Sequence, residues 1–227
     1  MTNMTKNNIV LITSIINTPD IPFTYTYTRS VFTNNERFLQ TVNTINSIKK
    51  MIPDPIIVLV ECSELTNEQN DFFLNNVNYL INLYNSNNKN KIYSYFKAIG
   101  EGTMTYFGLH VIKSIYNNID YNIFKISGRY SLNNFFDFKK WTNNNNIVKC
   151  IKDSESINTT FYKITKKTSE DMLNFLEICN FTKYNGYEEL FYDFISNFVK
   201  CKDETDFINE KIGIEGMVSV NGDFFTT

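Results

Sequence analysis

Apolar residues along this chain come in short unbroken runs and in helical stripes, and the two kinds alternate. Ile9-Val10-Leu11-Ile12-Thr13-Ser14-Ile15-Ile16 is nearly continuous and β-branched, the signature of a strand buried on both faces in a parallel sheet. Phe38, Val42, Ile45 and Ile48 recur at helical spacing and predict a helix over about 35–51, ended by Pro53 and Pro55. Residues 56–60 form a second buried run, closed by Glu61-Cys62-Ser63. Thr66 with Gln69 is a capping box, and Phe72, Phe73, Val77, Leu80, Ile81 and Tyr84 supply one apolar helical face. A polar loop over 85–91 leads to a short predicted strand, Ile92-Tyr93-Ser94-Tyr95. Gly100 and Gly102 read as a turn before a helix carrying Met104, Phe107, Leu109, Val111, Ile112 and Ile115. Residues 121–126 are the next strand.

This β-α-β-α-β-α-β order predicts a mainly parallel sheet with helices on both faces. Right-handed crossovers then gather the strand ends along one edge. Thr13-Ser14, Glu61-Cys62-Ser63 and Ser127-Gly128-Arg129 stand there. After Trp141 the pattern loosens. Residues 143–146 read as a surface loop, 147–151 and 160–164 as strands able to pair, and 169–179 and 187–199 as helices. Residues 212–220 are strand-like but broken by Gly213 and Gly216. Neither a linker composition nor a repeat divides the chain. The expectation is one α/β, Rossmann-like domain over 1–227, with a nucleotide-type half over 1–140 and a variable half over 141–227.

Composition narrows the classes. At 227 residues, 42% hydrophobic and 15% aromatic, the chain is long and apolar enough for a core and is not a disordered polymer. A net charge of -2 speaks against a nucleic-acid partner. Cys62, Cys150, Cys179 and Cys201 are widely spaced, and His110 is the single histidine, so no His/Cys zinc set or Ser-His-Asp triad is available. Free thiols in a reducing compartment are expected. Residues 1–8 lack a signal layout, and no apolar run approaches the roughly 20 residues needed for a membrane span. A soluble, cytoplasmic protein follows as the expectation.

Arginine is the informative residue. The chain has three, Arg29, Arg37 and Arg129, and takes its other positive charge from lysine. A planar, forked guanidinium suits carboxylate or phosphate oxygens better than an ammonium does. Arg129 ends the strand Phe124-Lys125-Ile126-Ser127-Gly128, where open α/β sheets bind ligands. It reads either as an anion-binding group or as a tie between loops. Arg29, in the long loop after the first strand, carries the same two readings; Arg37, beside Glu36, suggests a salt bridge. Lys97 and the Gly100-Glu101-Gly102 turn offer a phosphate cradle or only a tight turn. Glu188 and Glu189 open a helix, and adjacent positions point about 100° apart, so one of them can face a site. Asp153-Ser154-Glu155 could hold a divalent cation or be a solvated loop. Glu215, between Gly213 and Gly216, is a further candidate acid. His110 on an apolar helix face is expected to be packed, and Trp141 is core or a sugar-stacking platform.

The ordered set Ile12-Thr13-Ser14, Arg29-Ser30 to Glu36-Arg37-Phe38 with Gln40-Thr41, Val60-Glu61-Cys62-Ser63, 97–101 and 124–132 resembles a nucleotide-sugar glycosyltransferase of the GT-A type. The likeness is to small members from giant viruses and bacterial surface-polysaccharide clusters, and a viral source would place the protein in host cytoplasm. It covers about the first 140 residues. It implies a UDP- or GDP-sugar donor, a glycan or protein acceptor, Thr13 and Ser14 in the nucleotide pocket, and Glu61 near base or ribose. GT-A enzymes usually carry Asp-x-Asp on Mn2+ or Mg2+ at the end of the fourth strand. This chain departs from that pattern with Ser127-Gly128-Arg129: a guanidinium there, helped by Lys125 or Lys97, could neutralise the leaving diphosphate in place of a metal, and Mn2+ or Mg2+ stays open as a cofactor. Glu188 or Glu189 would be the base of an inverting transfer. Two other readings stand beside this one: a nucleotidyltransferase on a similar sheet, and a non-catalytic module that keeps the fold alone.

Overall fold

A computed structural model of the protein describes residues 6–151, 156–198 and 204–227. The first half runs β1 (Asn7–Ser14), α1 (Asn34–Met51), β2 (Ile56–Glu61), α2 (Asn67–Asn76), β3 (Tyr79–Asn82), α3 (Lys89–Ile92), α4 (Lys97–Tyr116), β4 (Tyr121–Ser127) and β5 (Tyr130–Leu132). The second half runs β6 (Asn146–Cys150), β7 (Ile157–Thr165), α5 (Lys166–Ile178), α6 (Tyr187–Asp193), β8 (Thr205–Ile208), β9 (Ile214–Met217) and β10 (Phe224–Thr226). Among the described residues a seven-stranded sheet has the order β3-β2-β1-β4-β7-β6-β8. β3, β2, β1 and β4 are parallel to one another, with Val10 level with both Ile57 and Phe124. β7 runs antiparallel to β4 and β6, and β8 rejoins parallel to β6. A small antiparallel sheet, β10-β9-β5, grows from the turn that follows β4.

The unbroken apolar runs are explained by helices on both faces. Successive strand residues alternate sides, so a strand covered twice must be apolar at every position. Ile9 and Leu11 pack with Leu109 and Ile112 of α4, Leu173 of α5 and Leu190 of α6. Val10 and Ile12 pack with Ile45 and Ile48 of α1 and Phe73 of α2. Burying each such side chain fully contributes roughly 1.5–3 kcal/mol over leaving it exposed. The capping box expected at Thr66–Gln69 forms, and Thr33–Glu36 forms a second one that the sequence reading did not name.

Three elements depart from the sequence pattern, each for a local reason. The helix opened by Thr66 stops at Asn76, and the remaining apolar positions form edge strand β3. Asn78 takes the place of another helical turn: its N–H donates to Ile57 O at 2.9 Å and its side chain accepts from Ile57 N at 2.8 Å. The expected strand at 92–95 is instead the end of α3 and a bend, because Arg29 occupies the carbonyls of Ile92, Tyr93 and Ser94. Gly100 and Gly102 lie inside α4, not before it. A Cβ at Gly100 would come within 2.6 Å of Ile92 O, and one at Gly102 would strike Phe181, so both glycines serve close packing. β8 was not foreseen, and of 212–220 only β9 is strand.

Trp141 is core, edge-on to Phe161 at 4.7 Å. His110 is exposed and stacks on Tyr106, because its position on α4 faces away from the sheet. Glu215 accepts from Asn133 Nδ2 at 3.1 Å. Cys62, Cys150 and Cys179 are free. Cys201 and Asp153–Glu155 lie outside the described residues. No described helix is long and apolar enough to cross a membrane.

Candidate functional site

The chain leaves β1 towards β2 on one side, while β4 lies on the other. That reversal of strand order leaves a crevice at the C-terminal ends of β1 and β4. A cavity of about 360 Å³ opens there, within the range of small-molecule sites. Its floor follows from strand alternation. On the α4 side, Leu11 is succeeded by Thr13, and Ile123 by Lys125 and Ser127, so the apolar face turns polar as the strands end. Lys97 and Glu101, one turn apart at the start of α4, face this floor. Glu188, in the first turn of α6, forms the opposite wall, with Asn158, Thr159 and Thr160 of β7 beside it. Ser219 and Phe225 of the C-terminal hairpin and Phe23 and Tyr25 of the β1–α1 segment close the rim.

Two lysine–carboxylate pairs organise the interior. Lys125, 1% exposed, is ion-paired with Glu101, whose Oε1 also accepts from Thr13 Oγ1 at 2.9 Å. Burial alone would raise the Glu101 carboxyl, but Lys125 and then Lys97 hold it down, to about 2. Lys97 is ion-paired with Glu188, whose Oε1 also accepts from Thr159 Oγ1 at 3.0 Å. Burial disfavours both charges of that pair, yet each partner keeps the other ionised: Glu188 is held below the usual carboxylate range and Lys97 above the usual amine range.

All three arginines of the chain line this cavity. Two of them are tied to the backbone. Arg29 donates to the carbonyls of Ile21 (3.0 Å), Ile92 (3.3 Å), Tyr93 (3.2 Å) and Ser94, and lies over the Phe23 ring. Arg37 donates twice to Ile15 O, at 3.2 and 3.0 Å, and once to Gln40 Oε1. Burial lowers Arg37 to about 9 and Arg29 to about 10, so both stay charged near neutrality. Arg129 differs. Among the described residues its guanidinium has no hydrogen-bond or ion-pair partner, only the Tyr130 ring at 5.4 Å. With Glu101 and Glu188 each matched by a lysine, the arginines leave the cavity with excess positive charge.

Of the remaining residues singled out in the sequence, Ser14 lines the cavity and the others frame it. Ser14 is hydrogen-bonded to Thr41 at 3.0 Å. Gly128 fixes the turn after β4: its N–H donates to Thr13 O at 2.9 Å and its carbonyl accepts from Thr41 Oγ1 at 3.0 Å. Glu61 is fully buried behind the wall, where Oε1 accepts from Ile16 N, Cys62 N and Ser63 Oγ and so shapes the turn after β1. Burial pushes it up to about 7. Glu189 is exposed and caps α6 by accepting from Asn185 N at 3.0 Å. Tyr25, Thr18, Asn158–Thr160 and the hairpin residues were missed in the sequence. The alternating Phe23-Thr24-Tyr25-Thr26-Tyr27-Thr28 was the available signal for the first; the hairpin offered none.

Among the described residues the donor set at this cavity does not suit a divalent cation. The end of β4 presents a hydroxyl, a glycine and a guanidinium, and both nearby carboxylates are engaged by ammonium groups. Among the described residues no cluster of three metal-ligating side chains occurs. The set suits an anion, because oriented N–H and O–H donors converge with uncompensated positive charge.

No protein-family model matches the chain, and no curated protein matches it. Solved structures are alike in fold. A nucleoside-diphosphate-sugar pyrophosphorylase from Vibrio cholerae RC9 superposes with a TM-score of 0.50 at 8% identity, over 90% of this chain and 93% of that one. The inositol-1-phosphate CTP transferase from T. maritima gives 0.49 at 11% identity, over 84% and 82%. A glycosyltransferase from Streptococcus pneumoniae TIGR4 gives 0.48 at 11% identity, over 90% of this chain and 45% of that one. At 8% identity the likeness to the pyrophosphorylase is one of fold alone, a mainly parallel, Rossmann-like sheet.

Proposed function

We propose that the protein is a glycosyltransferase that binds the diphosphate of a nucleotide-sugar donor through Arg129 without a metal ion. The observation that carries the proposal is a guanidinium with no hydrogen-bond or ion-pair partner among the described residues, at the end of β4, inside the switch-point cavity and beside Lys97. In this reading residues 1–140 supply the donor side, with Thr13 and Ser14 lining the nucleotide pocket and Ser127 as a hydroxyl donor. Residues 141–227 supply the acceptor side, with Glu188 as base and Glu189 only as a cap. The acceptor oxygen attacks the anomeric carbon and gives its proton to a Glu188 oxygen. The bond from that carbon to the diphosphate oxygen breaks, and its electron pair leaves with the phosphate. Arg129 and Lys97 stabilise the charge so formed; a preorganised donor of this kind is worth roughly 100- to 1000-fold in kcat. A single displacement inverts configuration.

Nucleotidyl transfer from a nucleoside triphosphate to a sugar phosphate is the second reading. It is favoured by the fold likeness to the pyrophosphorylase over nearly the full length of both chains. A thermal-shift screen with a chelator present separates the two. Stabilisation by UDP- or GDP-sugars is expected. Stabilisation by triphosphates alone, there or once Mg2+ is restored, would transfer support to the second reading, and no response in either buffer would refute both.

A further inference from the structure

Glu188 is an odd base as the structure holds it. A carboxylate whose Oε1 accepts from both an ammonium and a hydroxyl has its basicity lowered, whereas a general base works best with a pKa near the working pH. The groups that bear on it are Lys97 and Glu101 of α4, Lys125 of β4, Tyr187 on its own helix, and Tyr25 across the cavity, while Arg129 bears on Lys97. Of the cations, Lys125 is shut in with Glu101, and Arg129 does not touch Glu188. Lys97 alone both holds Glu188 and reaches the cavity, with a side chain 20% exposed.

We propose that Lys97 is a shared counter-ion: it grips Glu188 until a diphosphate drawn to Arg129 takes it over, so that donor binding frees the base. The exchange trades one ion pair for another and brings at least two phosphate charges against one carboxylate. It needs no backbone movement, because the ammonium sits on a flexible four-carbon stem. The consequence is order. Glu188 accepts the acceptor's proton only while the donor is in place, and donor and base are coupled reciprocally, each strengthening the other's readiness. Lys97 is thus a positioning residue as well as an anion contact. The inference rests on reading the cavity as a diphosphate site.

The test is a double-mutant cycle by calorimetry with inorganic pyrophosphate as probe and a chelator present, on wild type, Lys97→Met, Glu188→Gln and the double variant. Glu188→Gln is expected to tighten pyrophosphate about fivefold, because Lys97 no longer has to leave a part-exposed carboxylate. Lys97→Met is expected to weaken it about tenfold. In the Lys97→Met background the gain from Glu188→Gln disappears. A gain of equal size in both backgrounds would overturn the exchange while leaving the anion site standing. Failure of pyrophosphate to bind wild type would remove both. A readout free of variants is the carboxyl carbon signal of Glu188 in glutamate-labelled wild type: its titration midpoint rises when pyrophosphate is added, and an unmoved midpoint at saturation refutes the proposal.

Discussion

Replacing Arg29 and Arg129 separately by methionine separates holding the fold from holding a ligand. Arg29, 5% exposed, gives its N–H groups to four backbone carbonyls and binds the 21–29 segment to 92–94. Its loss leaves those carbonyls short of a charged donor, worth about 2–4 kcal/mol once partial rehydration is allowed, with the Phe23 contact adding up to about 1 kcal/mol. At this chain length 1 kcal/mol moves Tm by about 2–4 °C, so Arg29→Met should lower Tm by about 5–15 °C. Among the described residues Arg129 gives up only the Tyr130 ring contact, so Arg129→Met should stay within about 1 kcal/mol, or about 2–4 °C. Its effect belongs in binding: loss of a charge-assisted donor, about 1.5–3 kcal/mol, weakens a diphosphate about 10- to 150-fold. Differential scanning fluorimetry reads the first quantity and calorimetry with UDP the second. The reasoning is refuted if Arg129→Met destabilises as much as Arg29→Met and leaves UDP affinity untouched.

Two further outcomes follow from the buried acid and the strained turns. Glu61 sits at about 7 against an ordinary value near 4.5, so between those limits the native state holds more protons than the unfolded chain and stability falls as pH rises. Glu61→Gln should remove that slope, and its Tm relative to wild type should climb from about pH 5 to 8; a flat difference contradicts the shift. Gly213 (φ 85°) and Gly222 (φ 76°) both occupy the left-handed region. At Gly222 the nearest obstacle to a Cβ is Val31 Cγ2 at 3.3 Å, whereas at Gly213 a Cβ would strike the Phe136 backbone. Gly222→Ala should cost about 1 kcal/mol and Gly213→Ala clearly more in chemical denaturation, and equal costs would contradict the packing described for the hairpin.

What the sequence disclosed and what it hid have physical reasons. β1, β2 and β4 were legible because strands covered on both faces must be apolar throughout, α1 because Phe38, Val42, Ile45 and Ile48 recur at helical spacing, and α2 because its cap is written in Thr66 and Gln69. β3 was hidden because Val77, Leu80, Ile81 and Tyr84 fit a helical face as well as an edge strand; what decides is the docking of Asn78 on Ile57, a contact 21 residues apart. The turn read at Gly100 and Gly102 failed because glycine marks close packing as readily as a bend. The site was legible where strand ends carry it, at Thr13, Ser127 and Arg129. Arg29 and Arg37 stood out in composition, but composition does not say which arginine spends its donors on carbonyls. The wall from β7 and the hairpin depends on long-range pairing that no local pattern announces.

The most direct test of the central claim is calorimetric titration of wild type and Arg129→Met with UDP in buffer containing EDTA, then with Mn2+ or Mg2+ restored. The account predicts that wild type binds with the chelator present, that added metal changes the affinity little, and that Arg129→Met loses about 10- to 150-fold in both buffers. Binding that appears only with added metal, and that Arg129→Met leaves unchanged, would contradict it.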